Sequence, residues 1–212
     1  MLLVNQARGL AKPLGLRLPS CTTEGFASRM RREKQVDAFP GMASLVAMVH
    51  ELTLQIRVLE QQIKAVSEER YPETQRLRQV SGVGPLTSLA YVLTIEDPQR
   101  FRRSRSVGAY LGLRPRRRQS GEQDPLLRIT KAGDPFLRRL LVQSAHYILG
   151  PFGPDTDLRR FGLRLVARGG RAGRKKALVA VARKLAVLLH QLWVTGEAYE
   201  ALRGGATEVA AA

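Results

Sequence analysis

The chain has a single cysteine, Cys21. It cannot close an internal disulfide, which fits a reducing compartment, and the expected location is cytoplasmic. No apolar run reaches the ~18–20 residues needed to cross a bilayer, so no membrane partner is expected. Residues 1–20 lack the continuous apolar core and small-residue cleavage site of a secretory signal. No P-loop, zinc-ligand spacing or dinucleotide fingerprint occurs. The histidines His50, His146 and His190 stand far apart, each on a predicted helix without a second ligand at i+3 or i+4. They read as packing or capping residues, and no metal site is expected in this chain. The carboxylate pairs Glu68-Glu69 and Glu96-Asp97 occupy adjacent helical positions, which do not share a face, so neither resembles a two-metal centre.

Acids are scarce as well. The 212 residues carry 35 Lys+Arg against 18 Asp+Glu, a net charge of +17. Such an excess suggests a polyanionic partner, and the bias toward arginine suits phosphate. The charge is concentrated. Residues 100–118 hold eight arginines and no acid, and residues 158–196 hold ten Lys+Arg and no acid. Nucleic acid is therefore the expected partner. With 44% hydrophobic residues, the chain is long and apolar enough for one or two packed domains.

The expected fold is mainly α: a long coiled-coil helix, then a helical domain with a helix-hairpin-helix-like unit and a short β-hairpin or extended arm. Residues 1–41 are broken by Pro13, Pro19 and Pro40, leaving short helices near 2–10 and 24–32. Residues 42–73 are expected to form the coiled-coil helix. Leu45, Val49, Leu52, Ile56, Leu59, Ile63 and Val66 make an unbroken heptad seam about 40 Å long, and Tyr71-Pro72 ends it. Homo-oligomerisation through residues 42–70 is expected from this narrow stripe, with packing as a hairpin on its own domain as the alternative. Residues 74–203 form the second expected domain. Its opening reads as helix, tight turn and helix, with Leu86, Leu89, Ala90 and Leu93 as the apolar positions after the turn. Gly82, Val83 and Gly84, followed by Pro85, offer backbone amides to a phosphate or simply turn a compact corner.

A short helix is expected over 104–111 with Ser104 as its cap, and extended arms over 113–119 and 126–130. Thr130 and Lys131 lead to a helix capped by Asp134 and opened by Pro135, with Phe136, Leu137, Leu140 and Leu141 on its buried side. Arg138 and Arg139 project near its start. Residues 158–173, with four glycines, read as a basic connection, and residues 175–195 as the last helix, preceded and opened by Arg174, Lys175 and Lys176. Residues 204–212 read as a frayed tail.

Between the arms, Arg114, Arg116, Arg117 and Arg118 precede Ser120 in the run RPRRRQSG. Locally this is either a polar turn at the tip of a basic hairpin or a hydroxyl held among phosphate-binding guanidinium groups. The order and spacing of LRQVSGVGP (77–85), DPQRF (97–101), AYLGLRP (109–115), QSG (119–121), RITKAGD (128–134) and LRRLLVQ (137–143) are distinctive. Over residues 1–203 the chain resembles the insertion-sequence transposases with an N-terminal RuvC-like DEDD domain and a C-terminal serine domain, the bridge-RNA-guided recombinases. The resemblance implies DNA transposition, with Ser120 as the nucleophile that forms a transient DNA ester. It also implies a structured guide RNA and Mg²⁺ held by the RuvC-like acids. In that family the acids precede the segment similar to VNQARGL (4–10), so none transfers to this chain. The expectation is a truncated transposase lacking its acidic domain, or alternatively a non-catalytic nucleic-acid-binding remnant or regulator of a full-length enzyme.

Overall fold

The computed structural model describes residues 1–32, 40–116 and 127–203. It divides into two units, Met1–Gln62 and Ile63–Ala212, each with its own core. Among the described residues the structure is mainly α, with nine α-helices and no strand.

In the first unit, α1 (Leu2–Ala11), α2 (Phe26–Met30) and the start of α3 (Pro40–Arg70) bury Val4, Ala7, Phe26, Met30, Met42, Val46 and Val49 together. Arg8 ties the loop between α1 and α2. Its guanidinium donates to the Pro19 carbonyl at 3.3 Å and lies 5.9 Å from the Phe26 ring centre. Helix α3 confirms the long helical signal, but the apolar seam is buried only at its beginning. Leu52, Ile56 and Leu59 are each more than half exposed.

The second unit is organised around α9 (Gly173–Thr195). Ala177, Val181, Leu185, Leu189 and Leu192 recur at helical spacing and are buried. Around them pack α4 (Glu73–Leu77), α6 (Arg105–Tyr110), α7 (Pro135–Ile148) and α8 (Asp157–Arg168). Helix α5 (Pro85–Ile95) packs on α4 and α7. Two polar ties reach α9. Buried Tyr91 donates its hydroxyl to the Ala186 carbonyl at 2.7 Å, and burial pushes that phenol far above its usual range. Buried His190 has Nε2 2.9 Å from the Pro98 carbonyl and Nδ1 3.0 Å from Ser104 Oγ. A carbonyl only accepts, so Nε2 carries the proton and Nδ1 receives the Ser104 hydroxyl.

That bond corrects one expectation: Ser104 does not cap α6, because its hydroxyl is taken by His190. Asp134 and Pro135 do open α7, the carboxylate accepting from the Leu137 amide. Phe136, Leu86 and Leu93 are exposed rather than buried, and α5 instead buries Tyr91, Val92 and Ile95. The basic stretch read as a connection is largely helix α8. Thr156 caps it through the Arg159 amide, and Gly162 lets α8 approach Leu149 and Val181 so closely that a Cβ would overlap both. Its glycines masked an apolar spacing of Leu158, Phe161 and Leu165. Helices α3 and α9 are also long and apolar enough on average to cross a membrane, although neither has an unbroken apolar run. In α9 this hydropathy belongs to the domain core. Residues 204–212, read as a frayed tail, lie outside the described residues.

Truncating Leu185 to Ala should lower the unfolding free energy by about 2–5 kcal/mol, since the site is enclosed by packed helices. Urea unfolding measures this, and a loss below about 1 kcal/mol would contradict the central place given to α9.

Candidate nucleic-acid interface

The two arms pair locally without forming strands. Pro115 and Ile129 make an antiparallel bridge, the Arg116 amide donates to Arg128 O, and the Thr130 amide donates to Arg114 O, both at 2.9 Å. Beyond this bridge the Lys131 amide donates to Gly112 O at 3.1 Å. Gly112 and Gly133 both have positive φ, and a Cβ on either would overlap backbone, of Ala132 or Tyr110 respectively. Arg138 locks the same crossing by donating to the carbonyls of Leu111 at 3.1 Å and Ala132 at 2.7 Å. Arg138, read from the sequence as a nucleic-acid contact, braces the arms through one guanidinium nitrogen.

The braced arms stand beside the cationic part of α9. Arg103 and Arg105 at the start of α6, Arg114 on the first arm and Arg183 on α9 line a cup of ≈ 500 Å³ that contains no acid among its lining residues. Arg183 reaches it across α6, where Gly108 leaves room: a Cβ there would sit 2.9 Å from Arg183 Cγ. The cup shares Arg105, Pro115 and Arg183 with a larger groove of ≈ 1070 Å³. The groove floor is apolar, including Leu113, Ile129, Phe161 and Leu188, and Lys131, Lys175, Lys176 and Lys184 are among the cations lining it. Lys184 Nζ lies 4.5 Å from the Phe161 ring centre. Tyr199 also lines the groove. Burial pushes its phenol up and the charge of Asp157 adds to this, against a hydrogen bond with Thr156.

The structure thus gathers Arg114, Lys131, Lys175 and Lys176 onto one face and leaves Arg174 exposed at the same end of α9. Arg116 is exposed and reaches the Thr130 carbonyl at 3.5 Å. Thr130 itself is half-buried, and its hydroxyl has no partner among the described residues. Arg139 lies over Phe136, 5.5 Å from the ring centre. Gly82, Val83 and Gly84 line a different cleft, of ≈ 430 Å³, with Thr87, Gln143, Ser144 and Tyr147 and without a charged side chain. Arg117, Arg118 and Ser120 lie outside the described residues. Residue-by-residue reading passed over Arg103, Arg105, Arg128, Arg183 and Lys184 as site residues. Their signal was the absence of acids in the two segments that carry four of them.

Among the described residues no three His, Cys, Asp or Glu side chains gather as a cation would require. These residues do not fit Mg²⁺, and the chemistry they offer is phosphate neutralisation by arginine forks. Replacing Arg103 and Arg105 by Gln should reduce the slope of log affinity for DNA against log salt by about 1–2. Arg57→Gln, in the first unit, should leave the slope unchanged. Titrations at several salt concentrations decide this, and equal slopes in all variants would remove the cup from the interface.

Residues 74–156 match the family described as Transposase IS116/IS110/IS902. Over 208 residues the chain is 31% identical to the transposase for insertion sequence element IS1111A of Coxiella burnetii, covering 93% of this chain and 55% of that protein. It is 35% identical over 111 residues to the transposase for insertion sequence element IS1328 of Yersinia enterocolitica, covering 50% of this chain and 33% of the relative. It is 30% identical over 172 residues to an uncharacterized insertion element IS110 protein of Streptomyces coelicolor, covering 81% and 40%. The chain spans about half the length of the first curated relatives it matches. The arms, their brace and the arginine cup's α6 and arm residues all fall inside the segment, residues 74–156, that matches the Transposase IS116/IS110/IS902 family.

Proposed function

We propose that this chain is the DNA-handling, serine-bearing part of an insertion-sequence transposase. One observation carries the reading: the transposase-family segment 74–156 contains both Ser120 and the arms whose feet meet an acid-free arginine cup. In this reading the cup and the adjoining lysines hold phosphodiester backbone, neutralising its charge and fixing its path. Ser120 Oγ attacks a DNA phosphorus. The Oγ–P bond forms, the hydroxyl proton passes to solvent or a neighbouring base, and one P–O bond breaks to release a DNA hydroxyl. Attack by another DNA hydroxyl on the ester reverses these changes and joins the strands. Guanidinium groups stabilise the negative charge that builds on phosphate oxygens. A RuvC-like domain supplies the acids and Mg²⁺, a structured guide RNA selects sequence by pairing, and the exposed seam of α3 joins copies into the oligomer that holds several DNA ends.

The acid-free lining of the cup also supports a second reading, a nucleic-acid-binding regulator of a full-length transposase that performs no strand cleavage itself. One experiment separates them. With the acidic domain and element DNA supplied, wild type should form a covalent protein–DNA adduct, while Ser120→Ala should form none and retain DNA affinity. Adducts persisting in Ser120→Ala would overturn the nucleophile assignment. Absence of adducts in wild type, with DNA binding intact, favours the regulator.

A further inference from the structure

The large groove and the arginine cup differ in chemistry but are continuous. The cup presents four guanidinium groups and no acid, whereas the groove beside it has an apolar floor that charge neutralisation alone does not require. Phe161 and Tyr199 both line that floor and are only partly buried, so aromatic surface is turned into the open space. One groove acid, Glu200, lies 3.7 Å from Arg203, so part of the small acidic contribution is already matched.

A duplex does not satisfy both halves. Its phosphates suit the cup, but its base faces are stacked inside and cannot cover a concave apolar floor. An acidic peptide satisfies the rim, but single carboxylates do not match several guanidinium forks as well as a phosphate with its multiple oxygens does. Unpaired nucleotides supply both chemistries within one strand: a phosphate for the cup and an exposed aromatic base face for the adjoining groove. A volume of ≈ 1070 Å³ has room for more than one such base.

Resting on the nucleic-acid reading above, we infer that the cup and groove form a subsite for unstacked, single-stranded nucleotides, with phosphate on Arg103, Arg105, Arg114 and Arg183 and bases on the floor by Phe161 and Tyr199. The site prefers displaced strand, nicked end or unpaired RNA over intact duplex. Arg183 serves both halves, since it lines both. Lys184 Nζ lies over the Phe161 ring, 4.5 Å from its centre, so a base arriving there displaces this ammonium toward its phosphate or packs on the ring edge beside it.

The test compares oligothymidine with a duplex of equal length at one salt concentration, using the full chain. Wild type should bind the single strand at least about fivefold more tightly. Phe161→Leu should weaken single-strand binding about tenfold, the effect of losing one base stack, and leave duplex binding within about twofold. Arg183→Gln should weaken both. Because Phe161 contributes to packing, thermal unfolding of each variant and unchanged duplex affinity serve as folding controls, and Tyr199→Leu repeats the test from the other wall. Photocrosslinking of a 4-thiothymidine oligonucleotide should map to peptides containing Phe161 or Tyr199. Equal affinity for both forms in wild type, or crosslinks only outside the groove, would overturn the subsite while leaving DNA binding in place. No binding of either form would overturn the nucleic-acid reading together with the subsite. An acidic amphipathic peptide that occupies the groove while oligothymidine does not would assign it to a protein partner.

Discussion

Burial of α9 is the constraint on which the second unit depends. Apolar residues along its length are enclosed by neighbouring helices, while the cations near its start remain at the surface. Such a helix cannot rotate or slide without burying Lys175 and Lys176 or exposing Leu185 and Leu189. Desolvating unpaired ammonium groups costs more than local packing can return, so the helix has one acceptable rotation. The polar ties from Tyr91 and His190 reinforce that rotation by joining α9 to parts of the chain about ninety residues away in sequence. Its direct consequence is the position of Arg183, which passes over Gly108 into the arginine cup.

The arms are held by a different logic. Backbone pairing around Pro115 and Ile129 is short, and an isolated bridge contributes little order by itself. Order comes from the crossing behind it, where Gly112 and Gly133 permit backbone contact and Arg138 satisfies two carbonyls at once. Arginine therefore has two roles around the arms: Arg138 holds the frame and Arg114 faces the cup. Concentrating cations with few acids opposes compaction, and the surrounding core must outweigh that repulsion.

Helical class, the capped start of α7 and the long α3 were legible because each has a strong local cause: a proline at the first turn, an aspartate cap or a sustained apolar period. Helix α8 was not, because Gly162 and neighbouring arginines obscure its apolar side, and Gly162 is explained only by the approach of Leu149 and Val181. Ser104 was misread as a cap, and the bracing bonds of Arg138 were not foreseen, for a related reason. Their partners, His190 and the carbonyls of Leu111 and Ala132, are set by tertiary structure, which local propensity does not encode. Of the candidate site, Arg114, Lys175 and Lys176 were recognisable from charge runs and Lys131 from its place before the start of α7. The cup itself was not, because it joins side chains nearly eighty residues apart, and the glycine turn at 82–84 proved to line a neutral cleft elsewhere.

The central claim is that nucleic acid binds the cationic face built on α9. Hydrogen–deuterium exchange of the full chain with and without oligonucleotide tests it most directly. Protection should appear in residues 103–116 and 174–187 and be weak or absent over 85–95 and the first unit. Protection confined to the turn at 82–84 and the adjoining face of α7, or to residues 1–62, would contradict the account.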